Sequence, residues 1–300
     1  MANFLILAVV GLIAQLVDGS LGMAYGVTSQ SLLLTVGIAP ALASASVHIA
    51  EVGTTAASGA SHWRFGNVDW SKVWPLAIPG AVGAFLGAMV LSTFITAEAA
   101  EPIVAIFLFA LGVFVIARFS FRRHQRPVQV RPVPRTFLGP LGLIAGFLDA
   151  AGGGGWGPIS TPTLLSSGRM EPRKIIGTVD TSEFLVALSA SIGFLFALSF
   201  AEIPWTVVGA LLLGGVIAAP IAAYIVRILP ARILGSAVGG LILVTNMKTF
   251  LEAVGVSGAL AVLIYVLIVA VWIAAVVFSI RVNRQEKKGL TADPATSRVV

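Results

Sequence analysis

The residues best suited to chemistry occur in two matching sets. Asp18 is followed by Gly19, Ser20, Gly22, Tyr25 and Gly26, and then by Thr28, Ser29 and Gln30. Asp149 is followed by Gly152, Gly153, Gly154, Gly155, Trp156 and Gly157, and then by Ser160 and Thr161. Each set comes directly after an apolar run of about fifteen residues. Clustered glycines break a helix, and a carboxylate beside them is costly in hydrocarbon. Such a break survives in a bilayer only where protein buries it or where it lines a wet cavity. The two sets are therefore read as halves of one site. A helix starting after each break aims N–H groups and the positive end of its dipole inward, which suits an anion. Glycines let an oxyanion approach the backbone, and the nearby hydroxyls and amides add donors. The competing reading is that the glycines only let helices pack closely.

A second group of residues is ionisable. Glu51 and Glu183 fall deep within apolar segments, with His48 one helical turn before Glu51 and Asp180 one turn before Glu183. Each pair shares a helix face. With Asp18 and Asp149 these residues are expected to couple or gate, since charge in a membrane interior marks a pathway or relay. Carboxylates removed from water favour the neutral form, which makes proton coupling the expected companion of an anion here. For Asp18 and Asp149 the alternative is a cap on the helix that follows. Tyr25 and Trp156, inside the breaks, either gate the site or fill space.

The elements that must hold these residues are membrane helices. Hydrophobic residues make up 57% of the 300, charged residues 11%, and mean hydropathy is +0.98, which no water-soluble core requires. Apolar segments fall at roughly 3–17, 21–37, 39–62, 72–94, 100–119, 137–150, 157–167, 175–199, 204–227, 231–252 and 258–281. The net charge of +6 gathers in a few loops, the pattern of a topology signal, and no basic patch with interleaved aromatics points to nucleic acid. Cysteine is absent, which excludes disulfides and thiol chemistry. The N-terminal residues lack the basic stretch of a cleaved signal peptide and are expected to stay in the mature fold.

The chain repeats internally. Gly11 to Ala14 match Gly142 to Ala145, Asp18 matches Asp149, Gly22 matches Gly153, Tyr25 matches Trp156 and Ser29 matches Ser160. After one inserted residue Pro40 pairs with Pro172, His48 with Asp180 and Glu51 with Glu183, and Gly80 later falls opposite Gly215. Loop charge then sets the orientation. With the Arg-rich 120–135 in the cytoplasm, Arg64 and Lys72 also fall inside and Glu98 and Glu101 outside. Arg169, Arg173 and Lys174 stay inside only if 137–150 and 157–167 enter and leave by one face. Two complete spans would keep the same loop sides, but runs of about eleven to fifteen residues rise only about 17–23 Å, short of the roughly 30 Å hydrocarbon core, which favours half-spans. The expected architecture is all-α: two inverted repeats, each a re-entrant helix pair plus three spans, and one extra C-terminal span, making seven crossings. The expected divisions are a first repeat at 1–119, a basic cytoplasmic linker at 120–135, a second repeat at 136–252, a last span at 253–281 and a disordered cytoplasmic tail at 282–300.

The doubled Asp and Gly-rich segment, the basic linker between its copies and the Glu-bearing segment after each copy resemble the sulfite exporter TauE/SafE family of membrane permeases. The resemblance covers about residues 4–280. It implies a multi-pass carrier in the cell membrane for sulfite or another small sulfur-containing anion, organosulfonates included, with export as the expected direction. The first copy departs from the second, having Ser20, Leu21, Gly22 and Met23 where the second has a run of glycines.

The expected function is thus a secondary transporter that exposes a central site to each side in turn, with a small anion and protons as partners. No phosphate-binding loop is present, and no cofactor or resident metal is expected. The alternative is a cation or metal-ion carrier in which the buried carboxylates ligate the cargo. An intramembrane hydrolase using Ser20 and His48 is disfavoured, because the sequence around Ser20 lacks a Gly-x-Ser-Gly nucleophile turn.

Overall fold

The computed structural model of the chain describes residues 2–120, 132–167, 169–225 and 231–292. Most of the basic linker, with Arg122, Arg123, Arg126 and Arg131, lies outside the described residues, as does the tail from 293. The described residues form eleven helices and no strand. They are α1 (Ala2–Leu21), α2 (Tyr25–Thr35), α3 (Pro40–Arg64), α4 (Trp70–Thr93), α5 (Ala97–Ser120), α6 (Arg135–Gly152), α7 (Trp156–Ser167), α8 (Pro172–Ala197), α9 (Trp205–Ile225), α10 (Ala231–Ala253) and α11 (Gly258–Ala292).

Local chemistry sets the boundaries. Pro40 and Pro172 open α3 and α8, where a missing N–H costs nothing. Asp69 caps α4 by accepting from the Ser71 N–H at 3.0 Å. The break between α1 and α2 is made at Gly22 and Ala24, both in the left-handed region at φ +66° and +98°. Its counterpart uses Gly153 at +78° and Gly154 at +134°. Ala24 carries the strain that the second copy avoids with glycine.

Two boundaries differ from expectation. The first helix of each pair is longer than the apolar run: α1 has 20 residues and α6 has 18. At about 1.5 Å per residue α1 rises roughly 30 Å, so the length argument for half-spans does not hold for it. At the other end α11 continues to Ala292. Residues 282–292, expected without regular structure, are helical.

Five helices are long and apolar enough to cross a membrane: Phe4–Leu21, Trp70–Thr93, Pro172–Ala197, Trp205–Tyr224 and Gly258–Gln285. The molecule is an all-α, multi-pass membrane protein. Of the seven crossings expected from sequence, α4, α8, α9 and α11 are among these five and α3, α5 and α10 are not, while α1, expected as half of a re-entrant pair, is among them. α3 is long enough at 25 residues but is rich in buried polar groups, His48 and Glu51 among them. Those groups lower its hydropathy. Polarity is turned outside in: Leu5, Ile6 and Val9 of α1 and Leu263, Val266 and Leu267 of α11 are exposed, while Gln15, Asp18, Gln30, His48, Asp149 and Asp180 are buried. That is the arrangement lipid requires.

Packing across the two halves is reciprocal. α1 of the first half packs on α9 of the second, and α6 of the second packs on α4 of the first. Likewise α3 packs on α9 as α8 does on α4, while α3 meets α8 and α5 meets α10. The same glycine makes a close backbone approach in each copy. A Cβ on Gly11 would strike the carbonyl of Leu211, and one on Gly142 the carbonyl of Leu76. Only glycine allows backbones so near.

Candidate functional site

The two breaks meet. A Cβ on Gly26 would lie 3.0 Å from Gly154 Cα, and one on Gly154 would strike the Val27 amide. Gly157 faces Met23 in the same way, and Thr161 Oγ1 donates to the Gly22 carbonyl at 2.5 Å. The Gln30 side chain lies over Gly153 and donates through Nε2 to the Pro40 carbonyl at 3.2 Å. Three predicted glycines lie away from this contact: Gly152 faces Phe107, Gly19 faces Ala222, and Gly155 tucks against the backbone of Asp149.

Each aspartate reaches across its break. Asp149 Oδ1 accepts from the N–H groups of Gly155 and Trp156 at 2.8 and 3.0 Å. Asp18 Oδ1 makes the corresponding, looser contact with the Tyr25 N–H at 3.5 Å. The carboxylates thus cap α7 and α2, and the first amides of α7 are not free for an anion as expected. Capping is the role that sequence left open.

What remains unmet is a set of side-chain groups. Ser29 Oγ and Ser160 Oγ, at equivalent positions of α2 and α7, are fully buried and without a hydrogen-bond partner. Thr28 Oγ1 and Gln30 Oε1 are in the same condition. Each unpaired buried polar group costs about 1–3 kcal/mol. Ser20, in contrast, is spent on its own helix, its Oγ donating to the Leu16 carbonyl at 2.5 Å. Tyr25 and Trp156 are fully buried, and each is held by one hydrogen bond. Tyr25 donates to the Leu211 carbonyl at 3.2 Å beside Gly215, and Trp156 Nε1 to the Val179 carbonyl at 3.1 Å against Gly80.

The ionisable groups form two clusters behind the breaks. In one, His48 Nε2 lies 3.0 Å from Asp149 Oδ2 and 4.0 Å from Glu51 Oε2, and His48 Nδ1 donates to the Ser44 carbonyl at 2.8 Å. A carbonyl only accepts, so a ring protonated on both nitrogens satisfies both contacts. Neither oxygen of Glu51 has a hydrogen-bond partner, and Oε1 stands 3.3 Å from where a Cβ on Gly26 would be. In the other cluster Asp18, Asp180 and Glu183 each place a carboxylate oxygen within 4.8 Å of the other two. Asp180 Oδ1 accepts from Ser58 Oγ at 3.0 Å, while Asp18 Oδ2 and Asp180 Oδ2 have no partner.

Sequence reasoning missed His62, which is fully buried and donates through Nε2 to the Gly19 carbonyl at 3.1 Å. It also gave no role to Asn246, which holds α10 to α2 by donating to Ser31 Oγ at 2.7 Å.

The profile of the sulfite exporter TauE/SafE family matches residues 7–249. The chain belongs to that family. A probable membrane transporter protein of Bacillus subtilis (strain 168), YtnM, is 51% identical over 280 residues, covering 93% of each chain. No solved structure matches. As a TauE/SafE protein the molecule is a membrane transporter of the cell membrane and not an enzyme.

Proposed function

We propose that this TauE/SafE protein is a secondary transporter of sulfite or another small sulfur-containing oxyanion, organosulfonates included, in the outward direction that the family's description names. The observation that carries the reading is the pair Ser29 and Ser160: repeat-equivalent hydroxyls, buried and unpartnered, on the two helices whose starts lie against each other. An oxyanion entering between α2 and α7 supplies the acceptors these hydroxyls lack, with the unpartnered Thr28 hydroxyl beside them. Closed contact between the breaks corresponds to an occluded state, and separation to either side gives alternating access.

Reciprocal packing of α1 on α9 and α6 on α4 supports two repeats related by a pseudo-two-fold axis. Loop charge makes that relation an inversion. With 11 and 12 residues α2 and α7 rise only about 17–18 Å, too little for the roughly 30 Å hydrocarbon core. This favours pairs that return to the face they entered. An anion beside Glu51 requires that carboxylate to be neutral, so a proton at Glu51, next to His48, is the expected coupling ion.

The test is uptake of sulfite and of a short alkanesulfonate by proteoliposomes. Ser29→Ala and Ser160→Ala are each expected to weaken transport roughly tenfold or more, since a hydrogen bond to a charged group is worth about 1.5–3 kcal/mol. Saturable flux of neither anion in the wild-type protein refutes the reading.

A further inference from the structure

The two ionisable clusters occupy matching places and differ in one respect that calls for a ligand. Under the internal repeat, Asp149 corresponds to Asp18, His48 to Asp180 and Glu51 to Glu183. The contact of His48 with Asp149 therefore has its counterpart in the approach of Asp180 to Asp18. One cluster is two acids around an imidazole ring. The other is three acids, each at most 5% exposed, with no basic side chain among them. Three carboxylates this close in a dry interior cannot all keep their charge without a cation among them.

Two further residues are present only on the side that lacks the histidine. Gln15 is fully buried, and both its amide atoms, Oε1 and Nε2, have no partner. Its Nε2 and Ser58 Oγ both border Gly19, the residue after Asp18: a Cβ there would lie 3.6 Å from the one and 3.5 Å from the other. Ser58 Oγ is the hydroxyl bonded to Asp180. A rotation of the amide exchanges its oxygen and nitrogen, which turns Gln15 into a further oxygen ligand. At the matching positions of the second half stand Gly146 and Ala190, which offer no polar side-chain atom. The polar additions thus track the absence of the histidine.

We propose that Asp18, Asp180 and Glu183, with the Gln15 amide and the Ser58 hydroxyl beside them, bind a hard metal cation that serves these acids as the His48 imidazole ring serves Asp149 and Glu51 in the other cluster. An all-oxygen donor set selects hard ions. Oxygens ligating one ion at about 2.3–2.6 Å lie no more than roughly 5.2 Å apart, and the three carboxylates meet that limit at 4.8 Å. The bound ion ties α1 to α8 directly behind the first break. The inference deepens the carrier reading and rests on it for the ion's purpose, which is to set when that break can part. Binding of the ion is independent of any anion.

The experiment is a thermal unfolding titration of the full-length protein in detergent, in choline chloride at constant ionic strength, with sodium, calcium or magnesium added in turn and no anionic substrate present. The expected result is a saturable rise in the unfolding midpoint with one of the three, which also separates a monovalent from a divalent site. Asp180→Asn is expected to abolish the rise, and Glu51→Gln, in the matching cluster, to retain it. Should Asp180→Asn fail to fold, Gln15→Leu serves: partners outside the direct ligands alone are worth roughly 10–100-fold in metal affinity, so the midpoint of its titration should move by at least tenfold. A wild-type protein indifferent to all three ions at both pH 6 and pH 8, or a rise unchanged in Asp180→Asn or Gln15→Leu, overturns the proposal. Because no flux is measured, failure here is distinct from failure of the anion reading.

Discussion

His48 Nε2 stands 3.0 Å from Asp149 Oδ2, joining a helix of the first half to the break of the second. Asp149 in turn holds the start of α7 through two backbone N–H groups. One imidazole ring thereby connects the centre of α3 to the interrupted helix across from it. Movement of α7 away from α2 must carry or break this contact.

Removing the ring leaves a buried carboxylate without its partner. Breaking a buried ion pair from one side costs about 3–5 kcal/mol. His48→Gln is expected to lower the unfolding midpoint sharply, and adding Asp149→Asn should restore part of the loss. The double-mutant cycle in detergent measures this; additive losses would mean that the two side chains do not interact.

The serine hydroxyls predict the opposite sign. Ser29→Ala and Ser160→Ala each remove a polar atom that has no partner, so stability without substrate should be unchanged or rise by about 1 kcal/mol. Thermal unfolding in substrate-free buffer checks this. A marked loss would show that these hydroxyls serve the fold.

Gly154 and Gly37 separate strain from crowding. Both have positive φ, +134° and +86°, but a Cβ on Gly37 meets nothing within 4 Å, whereas one on Gly154 strikes Val27 and Gly26. Gly37→Ala should cost about 1–2 kcal/mol, while Gly154→Ala should abolish monodisperse protein in size-exclusion chromatography. Similar behaviour of the two would contradict the contact between the breaks.

Orientation is open to thiol labelling, because the chain has no cysteine of its own. Ser71 and Ser199 are exposed at corresponding ends of the two halves. Inversion places Ser71→Cys in the cytoplasm and Ser199→Cys outside, so a membrane-impermeant maleimide applied to intact cells should label only the second. Labelling of both, or of neither until lysis, would contradict inversion.

Much of this is legible in residue order because duplication prints each candidate position twice. Asp18 with Asp149, Ser29 with Ser160 and Glu51 with Glu183 all stand out by spacing alone. Residues without a counterpart were harder to read. Gln15 faces Gly146 in the alignment and Ser58 faces Ala190, so neither drew notice, and His62 acts on a carbonyl 43 positions away. Hydropathy also misjudged two helix ends for a common reason, that it reports solvent preference and not backbone conformation. α1 runs on through Gly19 and Ser20 because α9 packs along it. α11 runs on through Arg281 to Lys288 because Arg, Gln, Glu and Lys are good helix formers. The direction of the Asp18 and Asp149 side chains, toward a cap, depends on break geometry that composition does not carry.

The most direct test is calorimetric titration of sulfite onto the purified protein and onto its Ser29→Ala, Ser160→Ala and doubly substituted forms. If an oxyanion sits between the two facing breaks, the wild-type protein binds it saturably, each single change weakens binding roughly tenfold or more, and the double change removes it. Unaltered affinity in a folded double variant would place the anion elsewhere and contradict the account.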